Sequence, residues 1–94
     1  MTNTNQLPKV TNIESYKGNK VPNQLEITTD KGRFFQSYDS IIVFIPNEGN
    51  IQLDAKFWNY STTTGKYRNI FLGEGRKETE QKIKSGEYIL TNLN

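Results

Sequence analysis

The stretch of the chain that decides the fold is LEITTDKGRFFQSYDSIIVFIPNEGNIQLD, residues 25–54. Polar and apolar side chains alternate in its first five residues, a period of two that is typical of a half-buried β-strand. The Asp30-Lys31-Gly32 segment then predicts a hairpin loop, because glycine readily adopts the positive φ that such loops require. A second glycine-containing loop follows at 46–50. The pattern therefore predicts four strands in antiparallel hairpins, at residues 25–29, 34–38, 41–45 and 51–54.

The third of these strands, Ile41–Ile45, is apolar at every position, which predicts that both of its faces are covered. If residues 33–45 were continuous, their apolar side chains would divide into two faces, with Phe34, Ile42 and Phe44 on one and Phe35, Ile41, Val43 and Ile45 on the other. Two short helices are expected to cover only one face. Either the sheet curls over the other face or a second copy covers it, and we favour the homodimer.

Outside this stretch, the sequence predicts two further strands, at residues 10–16 and 88–91, and two helices. The first helix is predicted at residues 63–72, from apolar side chains at the spacing i, i+3, i+4 that begins at Tyr67. A hairpin is the competing interpretation of this segment, because consecutive threonines disfavour helix interiors. The second helix is predicted at residues 76–85, where a glycine follows the last residue.

Together these elements predict one α+β domain over residues 10–94, preceded by a flexible N-terminal tail at residues 1–9. The expected sheet is mainly antiparallel and curled, with five to six strands. The two short helices of the C-terminal half are expected on one of its faces. A chain of 94 residues has room for a single hydrophobic core.

Composition and charge exclude several classes of protein. The chain has no cysteine and no histidine, which excludes a disulfide scaffold, a zinc finger and catalysis through a thiolate or an imidazole. Its acidic residues fall mostly in predicted turns or on an exposed helix, so we expect neither an enzyme nor a cofactor or metal. No apolar run exceeds five residues. This predicts no membrane span and no signal peptide, and hence a cytoplasmic protein.

The densest aromatic cluster contains Phe57, Trp58, Tyr60, Tyr67 and Phe71. Small sheet proteins that bind single-stranded nucleic acid use such rings as stacking platforms beside cationic groups. Core packing is the alternative, because Trp and Phe bury large areas in a chain with few other large apolar residues. In either case we expect Tyr60 and Tyr67 to keep an exposed edge.

Residues 61–65 open the first predicted helix, where free backbone N–H groups attract anions. Lys66 and Arg68 follow directly, and residues 66–84 carry six basic and three acidic groups, a local excess of +3. A nucleic-acid phosphate at this helix N-terminus is one interpretation. The other is that Ser61 or Thr63 only caps the helix and binds no ligand.

Two motifs resemble those of a known group of proteins. Residues 35–42, FQSYDSII, resemble the pattern F-x-S-Y-x-[ST]-x-[IV], and residues 58–72, WNYSTTTGKYRNIFL, resemble W-[DN]-Y-S-x-T-T-x-K-[YH]-x-x-x-F-L. These patterns are similar to those of small uncharacterised proteins of bacteriophages, prophages and plasmids. The resemblance covers roughly residues 10–94. It implies a mobile-element setting and a location in the host cell cytoplasm, and it implies no activity.

From these observations we expect a non-enzymatic accessory protein of a mobile element that binds single-stranded nucleic acid weakly. The alternative is a phage-encoded inhibitor that docks on a host or defence protein, since a small chain with an exposed sheet surface suits an interaction module. The candidate nucleic-acid and phosphate-binding residues are Trp58, Tyr60, Ser61, Lys66, Tyr67, Arg68, Arg76 and Lys77.

Overall fold

The computed structural model describes residues 7–94, which form six strands and two helices. In chain order these elements are β1 (Lys9–Glu14), β2 (Lys20–Thr29), β3 (Gly32–Ser37), β4 (Ser40–Pro46), β5 (Gln52–Asp54), α1 (Thr62–Leu72), α2 (Arg76–Ser85) and β6 (Ile89–Thr91). At α1 the helix interpretation is therefore the correct one, and the hairpin is not. Of the tail predicted at residues 1–9, residues 1–6 lie outside the described residues, and β1 begins at Lys9.

The strands form one six-stranded sheet in which their spatial order follows the chain order from β1 to β6. All neighbouring pairs are antiparallel except β5 and β6, which are parallel. This exception follows from the position of α1 and α2, because parallel neighbours need a long crossover and the two helices supply it. The predicted α+β class, with a mainly antiparallel sheet and two helices in the C-terminal half, is confirmed.

The hairpin between β2 and β3 depends on Gly32. Thr29 pairs with Gly32, so that only Asp30 and Lys31 lie in the loop. Gly32 has a φ of 146°, and a Cβ at this position would lie 2.8 Å from the Cα of Pro46 and overlap the carbonyl oxygen of the preceding residue of β4. Only glycine fits this close approach between two strands.

The pairing of β3 with β4 contains a bulge that corrects the predicted division of side chains between faces. Phe35 pairs with Val43 and Gln36 pairs with Ile41, which leaves Ile42 without a partner in β3. Ile42 and Val43 are consequently both fully buried in the core. A bulge places two residues opposite one and breaks the alternation. The continuous-strand pattern predicts Ile42 on one face with Phe34 and Phe44. That prediction is wrong, because the bulge turns Ile42 into the core.

The core lies between the sheet and the helices. Phe35 of β3 stacks on Phe71 of α1 with ring centroids 5.6 Å apart, and Leu53 of β5 is fully buried in the same cluster. Ile70 of α1 and Ile83 of α2 pack against this cluster while remaining half-buried. Both helices therefore contribute apolar side chains to one side of the sheet, as the sequence predicts.

The opposite face of the sheet carries an apolar row that follows the cross-strand register. Phe34 stacks on Phe44 with centroids 4.3 Å apart, and neither ring belongs to the core cluster. We call this apolar row the open-face row, and its residues are Val10, Ile27, Phe34, Phe44 and Ile89. Gln52 lies between Phe44 and Ile89 in the same register. The two end residues are exposed, Val10 by 55% and Ile89 by 45%.

A buried carboxylate in the turn between the helices holds α2 in place. Glu74 accepts hydrogen bonds from Thr79 Oγ1 at 2.6 Å, Lys82 Nζ at 2.8 Å and the Tyr88 hydroxyl at 2.8 Å. Burial raises the pKa of Glu74, but the hydrogen bonds from Lys82, Thr79 and Tyr88 outweigh burial and leave that pKa below its ordinary value. Burial, together with the bond to Glu74, raises the pKa of Tyr88 to about 12. These contacts join α2 to the segment before β6 and so position Arg76 at the start of α2.

Asp54, the last residue of β5, organises the segment that leads to α1. Its Oδ2 accepts hydrogen bonds from the backbone N–H groups of Lys56 and Phe57, and its Oδ1 accepts from the backbone of Leu93 and the side chain of Asn94. Burial raises the pKa of Asp54, but these four bonds together hold it below the ordinary value. Both oxygens of the Asp54 carboxylate are therefore occupied by structural hydrogen bonds.

Candidate functional site

A cavity of about 590 Å³ lies at the N-terminal end of α1. Its walls come from three parts of the chain: the loop between β1 and β2, the segment that enters α1 with the first turns of that helix, and the first residue of α2. We call it the α1 cavity. It is lined by Tyr16, Asn59, Tyr60, Ser61, Thr62, Gly65, Lys66, Arg68, Asn69 and Arg76.

The charged residues that line the α1 cavity are all positive. Lys66, Arg68 and Arg76 line it, and no aspartate or glutamate of residues 7–94 does. Lys66 and Arg76 are exposed, whereas Arg68 is 1% exposed. Arg76 has a long contact of 3.7 Å with Glu80 on α2, and pairs of this exposed kind contribute little energy. Three cations therefore line the cavity, two of them exposed and one buried.

Arg68 lies at the base of the cavity and is held by neutral oxygen atoms. Its Nη1 donates to the backbone carbonyl of Trp58 at 2.6 Å and to Asn59 Oδ1 at 3.2 Å, and its Nη2 donates to Asn69 Oδ1 at 3.0 Å. The guanidinium also lies 5.2 Å from the centre of the Trp58 ring, a cation–π distance. These contacts fix the position of the charge without neutralising it.

No carboxylate of residues 7–94 pairs with Arg68, although burying a charge is costly unless it is paired. Its Nε is buried and has no hydrogen-bond partner within the described part of the chain. Burial lowers the pKa of Arg68, and the charge of Arg76 lowers it further, while Glu74 and Glu80 act in the opposite direction. An anion in the cavity would supply the missing counter-charge.

The N-terminus of α1 lies at the same cavity, which Ser61 and Thr62 line. Ser61 is the N-cap, and its Oγ accepts a hydrogen bond from the Thr64 amide at 3.1 Å, which is the capping role considered in the sequence. The amides of Thr62 and Thr63 have no intrahelical acceptor, because the first N–H groups of a helix lack one. The cap and an anion site are therefore compatible at this helix end.

Aromatic side chains divide between the rim of the cavity and the core. Tyr60 and Tyr16 line the cavity and are 49% and 78% exposed. Trp58 and Tyr67 are half-buried and pack against the hydrophobic cluster, so core packing describes them better than a stacking role does. Phe57 supports Tyr60 from the side with an edge-on contact of 5.3 Å between ring centroids. Two tyrosines thus remain as flat surfaces beside the cations.

The structure brings together five of the eight candidate residues, which are Tyr60, Ser61, Lys66, Arg68 and Arg76. It does not place Trp58, Tyr67 or Lys77 at the cavity. Lys77 points to a separate hollow that it shares with Glu80 of the same helix. Arg76 reaches the same cavity because the short turn at residues 73–75 places the first residue of α2 close to α1.

The candidate residues did not include four polar or aromatic residues of the cavity: Tyr16, Asn59, Thr62 and Asn69. Asn59 lies within the motif at residues 58–72, between two residues that were selected, so its position was available as a signal. Tyr16 is more than forty residues from α1 in the chain, and only the pairing of β1 into the sheet brings it near.

The comparison with protein families places this chain in a group defined by sequence alone. The model of a family of unknown function, DUF8033, matches residues 5–87. The chain belongs to this family. No curated protein and no solved structure matches it. Within residues 7–94, neither helix is long and apolar enough to cross a membrane, and no three metal-ligating side chains form a group.

Proposed function

We propose that this protein binds single-stranded nucleic acid through the α1 cavity. The observation that supports the proposal is the convergence of Lys66, Arg68 and Arg76 on one cavity that no carboxylate of the described residues lines. Phosphate contacts supply most of the affinity of non-specific nucleic-acid binding, and lysine and arginine make them. The cavity has this chemistry at the N-terminus of a helix, where backbone amides add to it.

The two exposed tyrosines favour a single strand over a duplex. Tyr16 and Tyr60 lie on the rim of the cavity beside the cations. Unpaired bases stack on aromatic side chains, and such stacking contributes about 1–3 kcal/mol per base without requiring a particular sequence. The bases of a duplex are stacked on each other and do not offer this surface. A phosphate in the cavity and a base on Tyr60 would therefore engage one nucleotide at two points.

The expected affinity is low and depends on salt. Three cations neutralise few phosphate charges, so the logarithm of the binding constant should fall with the logarithm of salt concentration with a slope of about −1 to −2. Fluorescence anisotropy of a labelled single-stranded oligonucleotide at low salt tests the proposal. We expect saturable binding that weakens with added salt. Absence of binding at tens of micromolar protein would overturn it, and the same titration with RNA and with duplex DNA gives the preference.

The resemblance to small phage, prophage and plasmid proteins adds a setting to this proposal. We propose a non-enzymatic accessory protein of a mobile element, acting in the host cell cytoplasm. Deletion of the gene from its natural element, followed by measurement of that element's replication or transfer, tests the accessory role.

A second candidate function is that of an inhibitor that docks on a host or defence protein, and the open-face row favours it. Val10 and Ile89 leave apolar side chains exposed at the two ends of a row that crosses the whole sheet. Contiguous exposed apolar surface marks interaction sites. One stoichiometric host protein captured from nuclease-treated lysate, and lost on Ile89→Lys substitution, would favour docking over nucleic-acid binding.

A further inference from the structure

The cations of the α1 cavity line a single site instead of an extended groove. Surfaces that track a nucleic-acid backbone distribute their cations along a groove, whereas Lys66, Arg68 and Arg76 meet in one cavity of about 590 Å³. A cavity of this size is within the range of sites that hold a single small ligand. The arrangement therefore suits one phosphate group with its nucleotide better than a run of phosphates.

The hydrogen bonds of Arg68 leave room for a charged acceptor. Two of its partners are amide oxygens on side chains, those of Asn59 and Asn69, and both asparagines line the cavity themselves. The guanidinium pairs with these amide oxygens as neutral acceptors, whereas a phosphate brings an opposite charge and can accept two parallel bonds from an arginine. A phosphate that takes over one or both amide positions thus gains energy from a charge that the protein has already buried and oriented.

Gly65 lies beside this guanidinium in the wall of the cavity. A Cβ at position 65 would lie 3.7 Å from Nη2 and 3.8 Å from Nη1 of Arg68, which is ordinary van der Waals contact and no clash. Gly65 is buried inside α1 at a position where a better helix former would be expected, and it lines the cavity beside the terminal nitrogens of Arg68. A methyl group there would shield the charge without straining the fold.

The number of cations favours a dianion. A phosphate monoester at the end of a strand carries a charge of about −1.5 to −2 at pH 7 and has three free acceptor oxygens, whereas an internal phosphodiester carries a single charge. Coulomb attraction is proportional to the ligand charge, and no carboxylate of residues 7–94 lines the cavity to oppose it. A terminal phosphate therefore gains more from this site than an internal one.

On these grounds, and resting on the proposed binding of single strands, we propose that the α1 cavity recognises the terminal phosphate of a nucleic-acid strand, with Arg68 at its base. Lys66 and Arg76 contact the phosphate oxygens from the exposed side of the cavity. Tyr60 stacks on the terminal base. Strand ends, produced by nucleases or by incomplete synthesis, are the ligand class that this chemistry defines.

The test compares three internally labelled oligonucleotides of one sequence, with a 5′-phosphate, a 3′-phosphate or two hydroxyl ends, by fluorescence anisotropy at pH 7.5. We expect one phosphorylated strand to bind about tenfold more tightly than the hydroxyl strand. Equal binding of all three overturns this inference and leaves the proposed function intact. No binding of any strand overturns both. Inorganic phosphate should compete selectively with the preferred strand.

Two variants locate the preference. Gly65→Ala should remain folded and lose the preference for the phosphorylated strand, while Lys84→Gln, a charge removed from the exposed part of α2 outside the cavity, should keep it. Thermal unfolding confirms that each variant is folded. A folded Gly65→Ala protein with an unchanged preference would overturn the assignment to this cavity. If Gly65→Ala does not fold, Lys66→Gln on the exposed surface decides the same question.

A pH series gives an independent readout. The second ionisation of a phosphate monoester has a pKa of about 6. The chain has no histidine, and the nearby carboxylates, Glu74 and Glu80, act on the phosphorylated and the hydroxyl strand alike, so a change in the difference between the two strands from pH 7.5 to pH 5 reports the ligand. We expect the preference for the phosphorylated strand to shrink by pH 5. A preference of constant size across this range would contradict recognition of the dianion.

Discussion

The guanidinium of Arg68 and the main chain of Trp58 are joined by a 2.6 Å hydrogen bond from Nη1 to the Trp58 carbonyl oxygen, and the same cation lies 5.2 Å from the Trp58 ring. This pair joins the second turn of α1 to the segment that enters the helix. It also explains why two of the predicted site residues have different roles. Trp58 orients the cation and packs against the core, and Arg68 carries the charge at the base of the α1 cavity.

Arg68→Ala should destabilise the protein by about 2–4 kcal/mol. The substitution empties a fully buried volume and leaves the Trp58 carbonyl without its donor. Urea denaturation followed by tryptophan fluorescence measures the change in the free energy of unfolding. Arg76→Ala is the matched control, because this exposed arginine should contribute less than about 0.5 kcal/mol. Equal effects of the two substitutions would contradict the buried role of Arg68.

Glu74 should make the stability of the fold sensitive to acid. Although burial raises its pKa, the bonds from Lys82, Thr79 and Tyr88 leave that pKa below the ordinary value in the folded state. A carboxylate with a lowered pKa contributes stability that is present above the ordinary glutamate pKa and is lost as pH falls through the folded value. Between pH 6 and pH 3 the free energy of unfolding should therefore decrease.

Substitution of Glu74 shows how much of the decrease in the free energy of unfolding depends on this residue. Glu74→Gln should cost about 1–3 kcal/mol at pH 7, because it leaves buried donors without their charged acceptor, and it should flatten the pH profile. Glu78→Gln, at an exposed position of α2, is the control and should leave the profile unchanged. Asp54, whose pKa is also lowered, accounts for part of the slope that remains. A Glu74→Gln profile as steep as that of the wild type would contradict this role.

Gly32→Ala should destabilise the fold by more than about 2 kcal/mol, since its Cβ would meet the backbone of β4 and its φ is 146°. Gly49→Ala is the matched comparison. Gly49 also has a positive φ, 99°, but nothing lies within 4 Å of a Cβ there. Its cost should be limited to the conformational term of about 1–2 kcal/mol. Comparable midpoints of thermal unfolding for the two variants would show that the contact with β4 is not limiting.

The local features of the fold were predictable because neighbouring residues determine them. Alternation in residues 25–29, a glycine after the β2–β3 loop and a serine before α1 each act over a few residues, and the corresponding strands, hairpin and cap are present. The bulge at Ile42 was not predictable, because it depends on how β3 and β4 align and leaves no mark in the alternating pattern. The parallel pairing of β5 with β6 likewise depends on where the helices fold.

In the candidate site, too, the features set by neighbouring residues were predictable and those set by tertiary packing were not. Lys66, Arg68 and Ser61 were identified from a short motif, and their common location follows from one helix end. The sequence did not distinguish Arg68, which is buried, from Lys66, which is exposed, since the helical pattern alone does not give the depth of the side chain. The exclusion of Trp58 required knowledge of the core against which it packs.

The open-face row should support a homodimer, which is the association that the apolar strand at 41–45 predicts. Light scattering at micromolar concentration should give about twice the mass of 10.9 kDa. Ile89→Lys, on the open face, should return the protein to one copy. Leu90→Lys, on the neighbouring residue that pairs with buried Leu53, should not. A wild-type mass near 10.9 kDa would contradict the dimer and leave curling of the sheet as the way to shelter this row.

The most direct test of nucleic-acid binding through the α1 cavity is the affinity for one single-stranded oligonucleotide of the wild type, Lys66→Gln, Arg76→Gln and Lys84→Gln, measured by anisotropy in one low-salt buffer. Each variant removes one positive charge from an exposed position, and only the first two substitutions lie at the cavity. We expect Lys66→Gln and Arg76→Gln each to weaken binding about three- to tenfold and Lys84→Gln to leave it within about twofold of the wild type. Equal losses from all three variants, or no loss from the first two, would contradict a binding site at this cavity.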